Sequence, residues 1–257
     1  MNTYEKKYSD TLTMAHRCLM LSGRNPDTLL TSILLPGLMM ILFVSLFGKL
    51  VRIEGITYVN YIVPGILLQC IGQCSSTTAV SVNRDMTGGM AERFCTLPVR
   101  TGAILAGHVL EAFVRSFITS GVVLLAAALM GFRPLAGAAD WGIVLLLLAG
   151  SILAVSWLAV LTGLAAGSPE GASALSAMVI VLPYLSSGFV PAEALPAALR
   201  LFAEYQPMTP VIEAMRNAFL GNPVNVRLLA AAVLWCAGLC AVFFTGAQLL
   251  FKRKMRF

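Results

Sequence analysis

Long apolar stretches follow one another along the chain, separated by short polar breaks, and their length gives the first prediction. A helix crossing hydrocarbon needs roughly 20 mostly apolar residues. Six stretches reach that length: 28–47, 58–82, a run within 103–131, 141–166, 172–190 and 228–251. Lipid offers a peptide backbone no hydrogen-bond partner, so each is expected to be helical. The predicted fold class is an all-α membrane protein with six transmembrane helices, forming a single transmembrane domain over residues 1–257.

Two further segments have helical periodicity without the length to span. In 10–21, Leu12, Met14, Ala15, Cys18, Leu19 and Leu21 share one side of a 100° wheel, and Thr13, His16 and Arg17 share the other. This predicts an amphipathic interfacial helix on the inner membrane surface, within a cytoplasmic segment 1–27. Asn25-Pro26 breaks it before the first crossing. Segment 191–227 is too polar to span and too apolar for a plain loop. Pro191 and Pro196 punctuate its start, 197–205 can form a short helix, and Gln206-Pro207 ends it. Thr209-Pro210 reads as a cap followed by proline in the first turn. Val211, Met215 and Phe219 recur at spacing four, and Gly221-Asn222-Pro223 stops the helix. These are expected to be short outer re-entrant helices between the fifth and sixth crossings, dipping into the outer leaflet or closing over the bundle.

Composition agrees. Of the 257 residues, 58% are apolar and 12% charged, about half the charge of an ordinary soluble domain. No separate soluble domain fits between the apolar runs. The net charge is +6, but the basic residues stand at segment ends rather than in one patch, so nucleic acid is not an expected partner. With the N-terminus inside, the inner side holds Lys6, Lys7, Arg17, Arg24, Arg84, Arg93, Arg100, Lys252, Arg253, Lys254 and Arg256. The outer side holds Lys49, Arg52, Arg133, Arg200, Arg216 and Arg227. Eleven against six predicts both termini in the cytoplasm. The first 27 residues are too polar for a signal peptide.

The search for catalytic chemistry is negative. The six cysteines (Cys18, Cys70, Cys74, Cys95, Cys236, Cys240) contain no CxxC, and two pairs at i,i+4 read as small apolar packing rather than a metal site. There is no HExxH, GxSxG or paired carboxylate cluster. Gly48-Lys49 is followed by Leu50, and Phe43 stands where a phosphate loop needs its first glycine. The chain therefore has no Walker A route to ATP and is expected to be non-enzymatic. His108, Glu111 and Arg115 share one helical face, with Glu111 and Arg115 an intramembrane charge pair at i,i+4. Two readings of it stand: a structural pair snorkelling to the inner interface, or a role in coupling or substrate passage. The inner loop 83–102 mixes charges (Asp85, Glu92, Arg93, Arg100) with Phe94, Leu97 and Val99, bends at Gly88-Gly89 and is stopped by Pro98. An anionic-lipid anchor would be simply basic. This mixture suits docking onto a soluble protein, the alternative being a solvated loop.

Several of these features together resemble a known family. They are Arg24-Asn25-Pro26, Leu46-Phe47-Gly48, Tyr61-Ile62-Val63-Pro64-Gly65, the run from Asp85 to Pro98, Gly131-Phe132-Arg133, Ser187-Gly188-Phe189, Gln206-Pro207-Met208-Thr209-Pro210, Met215-Arg216 and Gly221. In that order they resemble the permease subunit of type-2 ABC exporters of the daunorubicin, drug-resistance type. The resemblance covers nearly the whole chain and is specific to the family rather than to a substrate.

It implies six crossings in a bacterial plasma (inner) membrane. It also implies a second permease copy, as homodimer or close heterodimer, and two copies of an ABC ATPase subunit on the cytoplasmic side. ATP and Mg would be bound by that partner, with no cofactor in this chain. The family's contacts to the ATPase fall here on the surface helix, with Arg17, and on the coupling loop, with Arg84, Asp85, Gly88, Glu92, Arg93, Leu97, Pro98 and Arg100. A substrate path between the first, second and fifth crossings would carry Phe43, Phe47, Gln69, Gln73, Ser76, Tyr184 and Ser186. That mostly apolar mix suits an amphipathic drug, antibiotic or lipid-like cargo, although small polar residues also serve helix packing. A polysaccharide or glycolipid exporter of the same family, and a secondary transporter or channel, are the alternatives. A membrane-embedded lipid enzyme is the weakest, for want of a cluster of acids or histidines.

Overall fold

A computed structural model describes residues 3–48, 56–90, 101–191 and 196–255. Among these, every regular element is helical: α1 (Thr3–Gly23), α2 (Pro26–Phe47), α3 (Tyr58–Thr87), α4 (Thr101–Leu129), α5 (Ala138–Ala165), α6 (Pro169–Val181) with a 3-10 turn (Leu182–Leu185), α7 (Ala197–Tyr205), α8 (Met208–Phe219) and α9 (Val226–Lys254).

Local chemistry explains the boundaries. Pro26 sits in the first turn of α2, where its missing N–H costs nothing. The Ser168 side chain accepts from the Gly171 N–H and Pro169 follows, opening α6. Asn225 accepts from the backbone N–H groups of Arg227 and Leu228, opening α9, which closes on Lys252, Arg253 and Lys254 where the helix dipole favours cations. After α4, Gly131 takes φ +101 and the Phe132 N–H returns to Ala127 O (2.9 Å), a left-handed C-terminal cap.

Among the described residues, four helices are long and apolar enough to cross a membrane: Leu30–Phe47, Gly102–Leu129, Ala138–Ala165 and Val226–Lys254. They match the first, third, fourth and sixth predicted crossings. The other two differ, each for a physical reason. The second runs past its predicted end to Thr87 as a 30-residue helix, about 45 Å long, but is too polar along that length to stand out as a lipid-facing span. It is the axis of the molecule, packed by α2, α4, α5, α6 and α8, so its polar side chains meet protein. The fifth was expected as one helix over 172–190. Instead α6 has 13 residues and tightens into the 3-10 turn at Pro183; beyond it Ser186 turns its hydroxyl onto Pro183 O and accepts from the Gly188 N–H.

The two short helices expected in 191–227 are present, and α8 packs onto the bundle with Val211, Met215 and Phe219 all buried. Its start differs from the expected cap. Pro207 precedes the helix, and the Thr209 hydroxyl donates to Ala203 O of α7, tying the two short helices together. The surface helix is longer than predicted. Met14, Ala15 and Cys18 are buried, whereas Leu12 and Leu21 of the predicted apolar side are exposed.

The inner half of α3 is clamped to α5. A Cβ on Gly163 would lie 2.5 Å from Ala79 O, so the two backbones touch there. One turn on, Asn83 Nδ2 donates to Gly163 O (3.1 Å) and Ala166 O (2.8 Å), occupying carbonyls at the end of α5. On the lipid side, α2 exposes Leu30, Leu34, Leu38 and Ile41, and α9 exposes Leu234, Val242, Phe244 and Leu249.

Candidate functional site

Two polar clusters lie at opposite ends of α3. At the inner end, Arg17 of α1 makes a two-pronged contact with Asp85 (Nη1 to Oδ2 2.8 Å, Nη2 to Oδ1 3.1 Å). His108 of α4 donates from Nε2 to the same Oδ2 (3.1 Å), and its Nδ1 lies 3.8 Å from Cys18 Sγ. Gly107, beside it, permits the approach: a Cβ there would stand 2.8 Å from Met14 Cβ. Burial works against the charge on Asp85, but the hydrogen bonds from His108 and Arg17 outweigh it and hold the carboxyl well below its usual range. The same bond to Asp85 raises the Arg17 guanidinium. Asp85 stands in the last turn of α3, just before Gly88 and Gly89, the latter at φ +72. One carboxylate thus joins the surface helix, the end of the axial helix and the start of α4.

Of the expected coupling residues, Arg17 and Asp85 are brought together, Arg84 is exposed in the same turn, and Gly88 caps the helix. Glu92, Arg93, Leu97, Pro98 and Arg100 lie outside the described residues.

The outer end is built differently. Arg216 of α8, counted on the outer side in the charge distribution, is a packed cation, only 8% exposed. It donates from Nε to Tyr61 O (3.1 Å) and from Nη2 to Ser187 O, and its guanidinium carbon lies 3.7 Å from the Tyr61 ring centroid. Tyr61 donates to Ser187 O (2.9 Å) and Tyr58 to Phe189 O (3.0 Å). A Cβ on Gly65 would meet Gly188 O at 2.9 Å. The motifs Tyr61 to Gly65, Ser187 to Phe189 and Met215-Arg216, far apart in sequence, therefore meet in one place. The signal for Arg216 was available: it shares a helical face with Ile212 and Phe219, both buried.

The candidate path residues of α3 lie between the clusters, and the aromatic ones stand beside the outer cluster, the Phe47 ring centroid being 6.4 Å from that of Tyr58. Phe43, Phe47, Tyr184 and Phe189 form an aromatic group, with centroids 5.6 Å (Phe43–Phe47), 4.8 Å (Phe43–Phe189) and 4.5 Å (Tyr184–Phe189) apart. Gln69 is 0% exposed and, among the described residues, neither amide atom has a partner; Gln73 Oε1 is likewise unpaired. Ser76 and Ser186 are engaged locally, with Ser173 (2.9 Å) and Pro183 O.

Glu111 and Arg115 are 4% and 5% exposed and 3.4 Å apart. Arg115 does not snorkel outward. It turns into the bundle and donates to Cys74 O (3.0 Å) and Thr78 Oγ1 (2.6 Å) on α3.

The ABC-2 type transporter family model matches residues 9–220, from α1 to the end of α8, and so takes in both clusters. The chain belongs to the ABC-2 type transporter family. It is similar to the daunorubicin resistance ABC transporter permease protein of Streptomyces coeruleorubidus, 28% identical over 96% of this chain and 87% of the relative. It is equally similar (28%) to a probable doxorubicin resistance ABC transporter permease protein of Mycobacterium tuberculosis, over 95% of this chain and 89% of the relative. As an ABC-2 transporter chain it is a multi-pass membrane protein, and the permease role of these relatives accords with a sequence that has no phosphate loop.

Proposed function

We propose that this ABC-2 chain is the permease subunit of an ATP-driven exporter moving an amphipathic drug, antibiotic or lipid-like compound. In this reading α3 and the α6 region complete six crossings of a bacterial inner membrane, with both termini cytoplasmic and the short outer helices re-entrant. A second permease copy pairs with the chain, and two ATPase subunits, carrying ATP and Mg, dock below. The exposed apolar face of α2 offers area for that pairing.

The observation carrying the coupling role is the joint at Asp85. A push on the 83–102 loop reaches α1 through Arg17 and α4 through His108, because one carboxylate holds both. Nucleotide-driven closure of the ATPase pair would move these elements as a unit and part the two permease copies along the aromatic group and Gln69. Only contacts that differ between the two states can drive this change.

The test is reconstitution of the permease with its ATPase in vesicles. Cargo export should require ATP. Asp85→Asn should leave ATPase co-purification intact while lowering export about tenfold, a loss of about 1.4 kcal/mol of coupling. Export without ATP, or failure to isolate any ATPase with the chain, would sink the reading.

A further inference from the structure

Between α3, α5, α6, α8 and α9 lies an apolar cavity of about 140 Å³. Leu68 and Ile71 of α3, Ala154 and Leu158 of α5, and Trp235 and Phe243 of α9 form its walls. We infer that it is a binding site for the acyl chain of a bilayer lipid, distinct from the export path.

Four observations support this. First, the position fits: Ala154 and Leu158 lie in the middle turns of α5, Trp235 to Phe243 form the central stretch of α9, and Pro207 and Met208 before and in α8 close one end. Second, the walls are almost wholly carbon. The hydroxyl of Ser151 is taken by Cys236 Sγ at 3.6 Å. An amphipathic cargo would find no partner there for an amine or a hydroxyl, whereas a hydrocarbon chain needs none. Third, the mouth faces lipid. Trp235 is half-exposed, and Leu234, Val242 and Phe244 beside it are exposed along α9. Fourth, the size suits a segment of a chain, the rest lying in the mouth. A cavity of about 150 Å³ lined by Leu, Ile and Phe stays dry and takes up an apolar molecule of benzene size. Left empty, such walls forfeit their dispersion contacts. At this depth the molecule available to restore them is a lipid tail.

Trp235 is a built-in probe. In a full-length Trp141→Phe/Trp157→Phe chain, purified in detergent, its fluorescence is followed while phosphatidylglycerol with a brominated stearoyl chain is added. The expected result is saturable quenching with a plateau at about one lipid per chain, stabilising the protein by mass action. Ala154→Phe, which fills the cavity, should weaken that binding about tenfold or more, while Leu239→Ala, which widens it, should retain it. Val179→Phe fills the cavity from α6 and gives the same reading should Ala154→Phe fail to fold. Quenching that rises without saturating and is unchanged by either filling variant would overturn the site, showing only surface lipid. Trp235 that stays unquenched would overturn it too, the mouth then being covered by a second copy. Displacement of the brominated chain by doxorubicin would overturn the lipid as occupant and join the cavity to the cargo path.

Discussion

The two ends of the axial helix hold their neighbours by opposite means. At the inner end one carboxylate binds a guanidinium and a buried imidazole, and water reaches the ion pair in part; Asp85 and Arg17 are 14% and 25% exposed. At the outer end a buried guanidinium binds backbone carbonyls, with an aromatic ring over it and a glycine contact beside it. Side-chain ion pairs near water are weak and can be remade in another geometry. Carbonyls held by a buried cation are shut off from water, and losing it removes a donor that solvent does not replace. The inner end is built as a joint, the outer end as a fixed anchor.

The sharpest way to break this contrast is at Gly65. Valine there would drive its Cβ into Gly188 O, 2.9 Å away, and backbone cannot step aside as a side chain can. Gly65→Val is expected to cost more than about 3 kcal/mol, read as loss of thermal stability in detergent or failure to accumulate in the membrane. Next is Arg216. Removing it to alanine deprives Tyr61 O of its side-chain donor and leaves Ser187 O with the Tyr61 hydroxyl alone, and should cost about 2–3 kcal/mol. Arg216→Lys should recover only part of that, since one ammonium cannot reach both carbonyls and lie flat on the ring. An anchor that tolerated either change would not be one.

The smallest effect belongs to the joint. A double-mutant cycle of Arg17→Ala and Asp85→Asn should give a coupling of only about 1 kcal/mol in stability. Because the folded carboxyl titrates below its ordinary value, its stabilising contribution is full above about pH 4 and fades only as the pH falls below that. Unfolding of wild type minus Asp85→Asn, measured from about pH 6 down to about pH 2, should therefore show a difference that holds above about pH 4 and shrinks steadily below it.

The spans that face lipid were legible in the sequence because length and apolarity are local properties. The surface helix and the α8 face were legible because Met14 and Cys18, or Val211, Met215 and Phe219, recur at helical spacing. The axial helix was legible as helix but not in its place, since being packed on all sides is a property of the assembly. The cut in the fifth crossing was visible only as Pro183 and Ser186, whose effect depends on where the freed backbone groups find partners. Of the site, Arg17 and Asp85 could each be chosen, but not their pairing across 68 positions. Arg216 could be assigned a side of the membrane from the sequence, but its burial shows only when its face on the helix is counted.

The turn of α3 that carries Asp85 also carries Asn83, whose amide occupies the end carbonyls of α5. One turn therefore grips three helices: α5 through an amide, α1 and α4 through a carboxylate. In mechanical terms it is a crank. It cannot rotate without either carrying all three partners or releasing at least one, and the bond it can release at least cost is the partly hydrated ion pair.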